Sequence, residues 1–237
     1  MSTSVLSHWS QHRSFALRRL HSLSGVLPVG AFLAEHLWTN ASLLGGAKAF
    51  NAEVDRIQAL PALWAIELFG IMLPLAFHAV YGVWLSLDGK PNVQTYPLAR
   101  NWAYVLQRVT GIITFVFVVA HLYEFRVQKW LYGMHHHSFF DVATMHMSST
   151  FAGLPLIALG YLVGLGSAVF HLANGLSGFV ISWGIVGSRT AQKRASIVFA
   201  LFGFALFYLG ASSIVYLATG TRLIPSFSGS SSDMPCP

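Results

Sequence analysis

Four of the 11 histidines in this 237-residue chain, His36, His78, His121 and His171, lie one in each of four long apolar segments, with His21 at the entrance of the first. An ionisable side chain is costly inside a membrane-spanning helix and is retained there for chemistry by default. Neutral imidazole is also the commonest metal ligand among side chains. The segments run from Leu20 to Trp38, Ala62 to Leu87, Trp102 to Phe125 and Phe151 to Leu176, the last extending toward Trp183. Successive spans run in opposite directions. With midpoints near Val29, Pro74, Phe115 and Gly164 and a rise of ~1.5 Å per residue, His36 and His121 lie about 9 Å to one side of the centre. His78 and His171 then lie about 6 to 10 Å to the other side. Two layers result, roughly 15 Å apart, each with two histidines from two helices. Two imidazoles facing each other across a layer form an axial ligand set for haem iron. Two bis-histidine haems are the expected occupants.

The helix faces agree with this. At 100° per residue, the face of His36 carries Val29, Gly25 and Ser22, and that of His121 carries Thr114, Thr110 and Gln107. The face of His171 carries Gly164, Gly160 and Gly178. Small residues let a flat macrocycle approach the backbone, although they also serve plain helix packing. The glycines of the fourth span are expected to make way at the outer layer for a haem which that span does not ligate. A proton relay in a transporter is the rival reading. It predicts carboxylates beside the histidines, and only Glu35 and Glu67 lie in or near the spans. The run His135-His136-His137 falls in a polar loop and reads as solvated, with a metal site as the lesser alternative.

These elements fit the whole composition. Hydrophobic residues make up 54% of the chain and charged residues 9%, against roughly 25% charged in an ordinary soluble domain. Such a surface faces lipid, and the net charge of +6 is spread in small groups rather than in a nucleic-acid-binding stripe. The single cysteine, Cys236, excludes intrachain disulfides, cysteine zinc sites, iron–sulfur ligation and covalent haem attachment within the chain.

A fifth apolar segment, Ala195–Ala218, carries no histidine and is expected to pack against the other four. The fold class is therefore all-α integral membrane: five transmembrane helices over residues 1–218, the first four forming a haem-binding four-helix bundle. Residues 219–237 are expected to form a disordered exoplasmic tail rich in Ser, Gly and Pro. Arg13, Arg18 and Arg19 precede the first apolar run as in a signal peptide, but that run is too long for one. Breakers mark the connections at Asn40–Gly46, Asp88–Asn92, Tyr132–Asp141 and Gly187–Lys193. Pro28, Pro74 and Pro155 read as kinks that a bundle tolerates. One side of the membrane receives Arg13, Arg18, Arg19, Lys90, Arg100, Arg108, Arg189, Lys193 and Arg194, nine cations. The other receives Lys48, Arg56, Arg126, Lys129 and Arg222, five. The N-terminus is thus expected in the cytoplasm and the C-terminus outside.

Several stretches together resemble the dihaem cytochrome b membrane-anchor subunit of succinate:quinone oxidoreductases, in its single-chain, five-helix bacterial form. They are Arg18-Arg19-Leu20-His21-Ser22-Leu23 with Gly25, Glu35-His36-Leu37 and Phe77-His78-Ala79-Val80-Tyr81-Gly82. Further along come Arg100-Asn101-Trp102, Leu106-Gln107-Arg108-Val109-Thr110-Gly111-Ile112, His121 with Glu124, and Phe170-His171 with Asn174-Gly175-Leu176. The resemblance spans about residues 13 to 218. It implies that His78 and His171 ligate the haem nearer the catalytic subunits, and His36 and His121 the other. It further implies a flavoprotein partner with covalent FAD and an iron–sulfur partner on the cytoplasmic face of a bacterial inner membrane. Electrons would pass between succinate or fumarate and a membrane quinone, often menaquinone. A glutamate that some relatives carry two positions before the last histidine is Val169 here, which argues against proton transfer by that route.

Within that frame Glu67, three turns outward from His78 on the same ideal face, is a candidate to exchange protons with quinone, against a carboxyl merely bonded to a neighbouring helix. His21, Ser22 and Tyr104 are candidates for inner-haem propionate contacts. Arg108 points away from His121 on the helix wheel and can either snorkel to a propionate or meet lipid headgroups. The competing functions are a dihaem cytochrome b of a hydrogenase or formate dehydrogenase, a histidine-relay proton transporter and a purely structural anchor.

Overall fold

The computed structural model describes residues 3–133 and 139–225. The His135–His137 run and the tail beyond Pro225 lie outside the described residues. Within them the chain is all helix and loop, apart from one isolated bridge pairing Phe151 with Leu154 across a tight turn.

Helix α1 runs continuously through Thr3–Ser24, a π-helical turn Gly25–Gly30, and Ala31–Asn40. Helix α2 (Gly46–Gln58) follows a 3₁₀ turn, Ala41–Gly45. Helices α3 (Leu63–Leu87) and α4 (Ala99–Tyr132) come next, then α5 (Phe139–Ser148), α6 (Leu156–Ser182) and α7 (Arg189–Thr219). Four of these, α3, α4, α6 and α7, are long and apolar enough to cross a membrane. Helix α1 falls short of their apolarity because His21, Ser22, Ser24, Glu35 and His36 interrupt it.

The bounds differ from the sequence reading mostly by polar extensions. Helix α4 continues a full two turns past Phe125 to Tyr132, and α7 starts at Arg189, where Ser188 caps it by accepting from the Ala191 N–H. Helices α2 and α5 were read as loops. Both are too short to span, and α2 buries one face through Gly46, Phe50 and Val54, the i, i+4 spacing of a surface helix. The prolines find two solutions. Pro155 sits at the N-cap of α6, where a missing N–H costs nothing. Pro28 lies inside a π-helical turn and Pro74 just after another, Ile66–Met72, where the hydrogen-bond register shifts around the missing donor.

Helix α1 packs on α3, α3 on α4, α4 on α6 and α6 back on α1, closing a ring of four. Helix α7 lies outside that ring along α6 and the far half of α1. Its seam is cut by small residues: a Cβ on Gly203 would lie 2.9 Å from Ala173, and one on Gly210 2.9 Å from Leu165 and 3.0 Å from Leu37. Such gaps let apolar helices approach where lipid is as apolar as they are. Leu37, Leu165, Val169, Leu172, Leu206 and Ala211 fill this junction of α1, α6 and α7. At one end α2 and α5 form a cap, joining Leu43, Phe50, Val54, Phe140, Ala143 and Met147 to Ala158 and Leu217.

At the opposite end the N-terminal part of α1 meets two connections through polar contacts. Arg18 lies 4.0 Å from Asp88, Arg19 stands over the Trp183 ring, and Arg100 donates to Gln192. The N-terminal part of α1 and the α3–α4 and α6–α7 connections therefore share one end, which is the grouping that the basic residues predicted.

Gly210→Leu should overfill the α1–α6–α7 junction and cost about 1–3 kcal/mol. The expected result is a lower thermal midpoint of the purified protein in detergent, whereas Gly160→Leu, with open space around it, should leave the midpoint near wild type.

Candidate cofactor site

The helix ring brings the four histidines together in two pairs. The His78 and His171 rings have centroids 6.0 Å apart at an interplanar angle of 83°. Those of His36 and His121 are 5.8 Å apart at 78°. A metal held between two imidazoles at ordinary bond lengths of about 2 Å separates the ring centres by roughly 6 Å. Among the described residues, no three His, Cys, Asp or Glu side chains cluster closely enough to hold a bare metal ion. Two facing imidazoles suit instead an iron whose other four ligands come from a macrocycle.

The inner pair is seated by one local device used twice. On α1 the sequence His21-Ser22-Leu23-Ser24-Gly25 turns the His21 carbonyl and the bare Gly25 Cα toward α3. The His78 Nδ1 donates to the His21 oxygen at 3.0 Å, and Ser24 Oγ donates to the same oxygen at 3.0 Å. A Cβ on Gly25 would stand 2.2 Å from the His78 ring, so only glycine fits. On α4 the sequence Gln107-Arg108-Val109-Thr110-Gly111 repeats the arrangement toward α6. The His171 Nδ1 donates to the Gln107 oxygen at 3.0 Å, and a Cβ on Gly111 would stand 3.0 Å from that ring. In both cases the carbonyl lies four residues before the glycine. A carbonyl has a second lone pair to offer, and the missing side chain opens the way to it. With Nδ1 as donor, each ring keeps the Nε2 lone pair free for a ligand.

Gln107 adds a cross-link. Its amide donates to the His171 carbonyl at 3.1 Å, and its side-chain oxygen accepts from Asn174 at 2.8 Å. Asn174 also donates to the Ala103 carbonyl. The outer pair is held differently. His121 Nδ1 lies 3.4 Å from the Tyr161 hydroxyl on α6, and Phe117 and Phe125 flank the ring. His36 is packed against Phe32, and Asn40 donates to its carbonyl.

The remaining sequence candidates land as follows. The His21 ring stacks on His78 with centroids 4.2 Å apart and planes 5° apart, and its buried Nε2 has no partner. Arg108 folds over the Tyr104 ring, 3.4 Å from its centroid, beside Gly89. Ser22 makes none of the contacts that seat His78. Glu67 forms a two-pronged ion pair with Arg126 of α4, at 3.1 and 2.5 Å. Glu67 itself stands in the π-helical turn Ile66–Met72, so the 100° register of an ideal α-helix does not run unbroken from it to His78. A Cβ on Gly164 would stand 2.3 Å from the Phe117 ring, while Gly160 and Gly178 have open space beside them. Sequence reasoning missed Tyr161, His146 and Arg126 as partners; each lies on another helix from the group it serves, and spacing along one helix cannot show that.

No family model and no solved structure matches the chain. It is similar to the succinate dehydrogenase cytochrome b558 subunit of Bacillus subtilis (strain 168), with 42% identity over 205 residues, covering 86% of this chain and 98% of that protein.

The Gln107–Asn174 bond ties α4 to α6 beside the inner pair. Gln107→Leu and Asn174→Leu should each destabilise by about 1 kcal/mol, the usual worth of a hydrogen bond between apolar helices. The double variant should cost clearly less than the sum. Additive losses in chemical denaturation in detergent would show that the two side chains act separately.

Proposed function

The chain belongs to the family of succinate dehydrogenase cytochrome b558 subunits, and from that premise we propose that it carries two haem b groups between its two histidine pairs. It is a membrane-anchor cytochrome b of succinate dehydrogenase. The observation that carries the dihaem reading is the pairing itself: four imidazoles from four helices in two facing sets about 6 Å apart. When bound, the haems supply one-electron carriers between the soluble subunits and membrane quinone. His78 and His171 hold the inner one, and His36 and His121 the outer.

The chain's own residues then divide the work. The His21 and Gln107 carbonyls fix the tautomer and ring angle of the inner ligands. Buried polar atoms without a partner in the chain, Thr114 Oγ1, Tyr81 Oη, His21 Nε2 and Arg108 Nε, are available to a bound group with hydrogen-bonding edges. His21, Ser22, Tyr104 and Arg108 are the proposed contacts of the inner haem's propionates. Helix α1 completes five membrane spans, since it lines the ring beside α3 and α6. The end where Arg18, Arg19, Arg100 and the α6–α7 connection meet faces the cytoplasm, by the excess of Lys and Arg there. That end would receive the flavoprotein and iron–sulfur subunits. Glu67, ion-paired with Arg126 toward the outer end, is proposed to exchange protons with a quinone, of which menaquinone is the expected type.

A reduced-minus-oxidised spectrum of membranes holding the assembled complex tests the reading. Two b-type centres reducible by succinate are expected; their absence would leave a structural anchor or a transporter. His36→Ala and His78→Ala should each remove a different centre, and loss of the same one in both would sink the pairing. Gly25→Val should mimic His78→Ala, because its side chain takes the ring's place. Gly111→Ala should be far milder, with its 3.0 Å approach in place of 2.2 Å. For Glu67, the Glu67→Gln variant should slow quinone reduction and alter its pH profile, with succinate reduction of the centres intact. An unchanged rate and profile would remove Glu67 from the quinone chemistry.

A further inference from the structure

One buried polar chain is unused by the reading above. Just after His121, α4 passes into a π-helical turn, Tyr123–Val127. Its carboxylate Glu124 accepts a hydrogen bond from the Tyr161 hydroxyl on α6 and another from His146 Nδ1 on the cap helix α5. The Glu124 side chain is only 16% exposed and that of His146 28%. Tyr161 in turn lies 3.4 Å from His121 Nδ1, its ring wedged edge-on against Phe117. Carboxylate, phenol and imidazole thus form a line that crosses from α4 to α6 and returns to the outer pair.

The inner pair has nothing of this kind. Both of its Nδ1 groups donate to neutral backbone carbonyls. A phenol whose own proton is given to a carboxylate is a stronger acceptor than a phenol without that partner, because the bond chain polarises cooperatively. A stronger acceptor at Nδ1 makes the far nitrogen a better donor to metal, which favours the more oxidised, more positive iron. A negative carboxylate nearby acts in the same direction.

We propose that Glu124 and Tyr161 are positioning residues: through the His121 Nδ1 they orient the outer axial imidazole and lower the reduction potential of iron bound at the outer pair. This rests on the dihaem reading of the four histidines. The couple is a one-electron exchange at iron, with no bond made or broken in the protein. His146 pins the second side of the carboxylate and so holds it toward Tyr161.

The test is a potentiometric titration of the assembled complex in membranes, followed by the optical bands of the two centres. A wild-type titration with one centre would overturn the dihaem reading itself, and this inference with it. Given two centres, Glu124→Gln should shift the outer one toward its reduced form by about tenfold at a fixed poise, which is 59 mV for a one-electron couple. Tyr161→Phe, which removes only the hydroxyl, should shift it in the same direction, and the inner centre should stay in place in both variants. If Glu124→Gln does not assemble, Tyr161→Phe decides alone. An unmoved outer potential in Tyr161→Phe, or equal movement of both centres, would overturn the assignment. Electron paramagnetic resonance of the oxidised complex adds a second readout: the low-spin signal of the outer centre alone should change as the ring's orientation loosens.

Discussion

An imidazole inside an apolar helix bundle must find an acceptor for its N–H, because no water is there to take it. That single requirement shapes the interior of this protein. Every helix carbonyl already serves its own ladder, so a histidine can only share one through the second lone pair. Sharing requires the ring to come close to a neighbouring backbone, and closeness requires that no Cβ stand in the way. Gly25 beside the His21 carbonyl and Gly111 beside the Gln107 carbonyl meet that condition on two helices. Ser24, and more loosely Thr110, contributes a hydroxyl to the same oxygens. Gly25 of α1 and Gly111 of α4 are thus explained by the histidines of α3 and α6.

Once two rings are so fixed, the packing of the helices follows. Helix α6 must stay in register with α4, and the Gln107–Asn174 bond beside His171 holds it there. It must also leave its other face to α7, whose Gly203 and Gly210 allow tight contact with Val169, Ala173 and Leu165. The burial is accordingly lopsided: fully buried residues gather on α6 and α7, whereas the residues of α3 and α4 are at most half-buried. Helix α7 carries no ligand, yet it braces the helix that meets both pairs.

Much of this was legible before any coordinates. Ionisable groups in apolar runs stand out by cost, and antiparallel alternation with a fixed rise sorts four of them by depth without knowledge of side-chain contacts. The sharing of one end by the N-terminal part of α1 and two connections was legible in the same way, from where Lys and Arg accumulate. Legibility stopped where the helix stopped being ideal. The π-helical turn that holds Glu67 departs from a wheel drawn at 100° per residue, and neither Arg126 nor Tyr161 announces its partner, since each lies on a different helix. Helices α2 and α5 escaped for another reason. Their amphipathic spacing is present in the sequence, but in a chain dominated by long apolar runs a half-polar segment of 13 or 10 residues reads as a connection.

Those two short helices explain why the ends of the bundle differ. The end that holds the N-terminal part of α1 is closed by exposed contacts such as Arg18 with Asp88, which water weakens. The opposite end is closed by an apolar cluster of Phe50, Val54, Phe140 and Met147. A charge-bearing hydrogen bond gains strength as water and its dielectric are removed. Glu124 lies under that cap, and one of its two donors, His146, is a residue of the cap itself. The same helix that shields the site from water therefore supplies the contact that holds the carboxylate, so the polar chain beside His121 is less screened than the exposed ion pair at the opposite end.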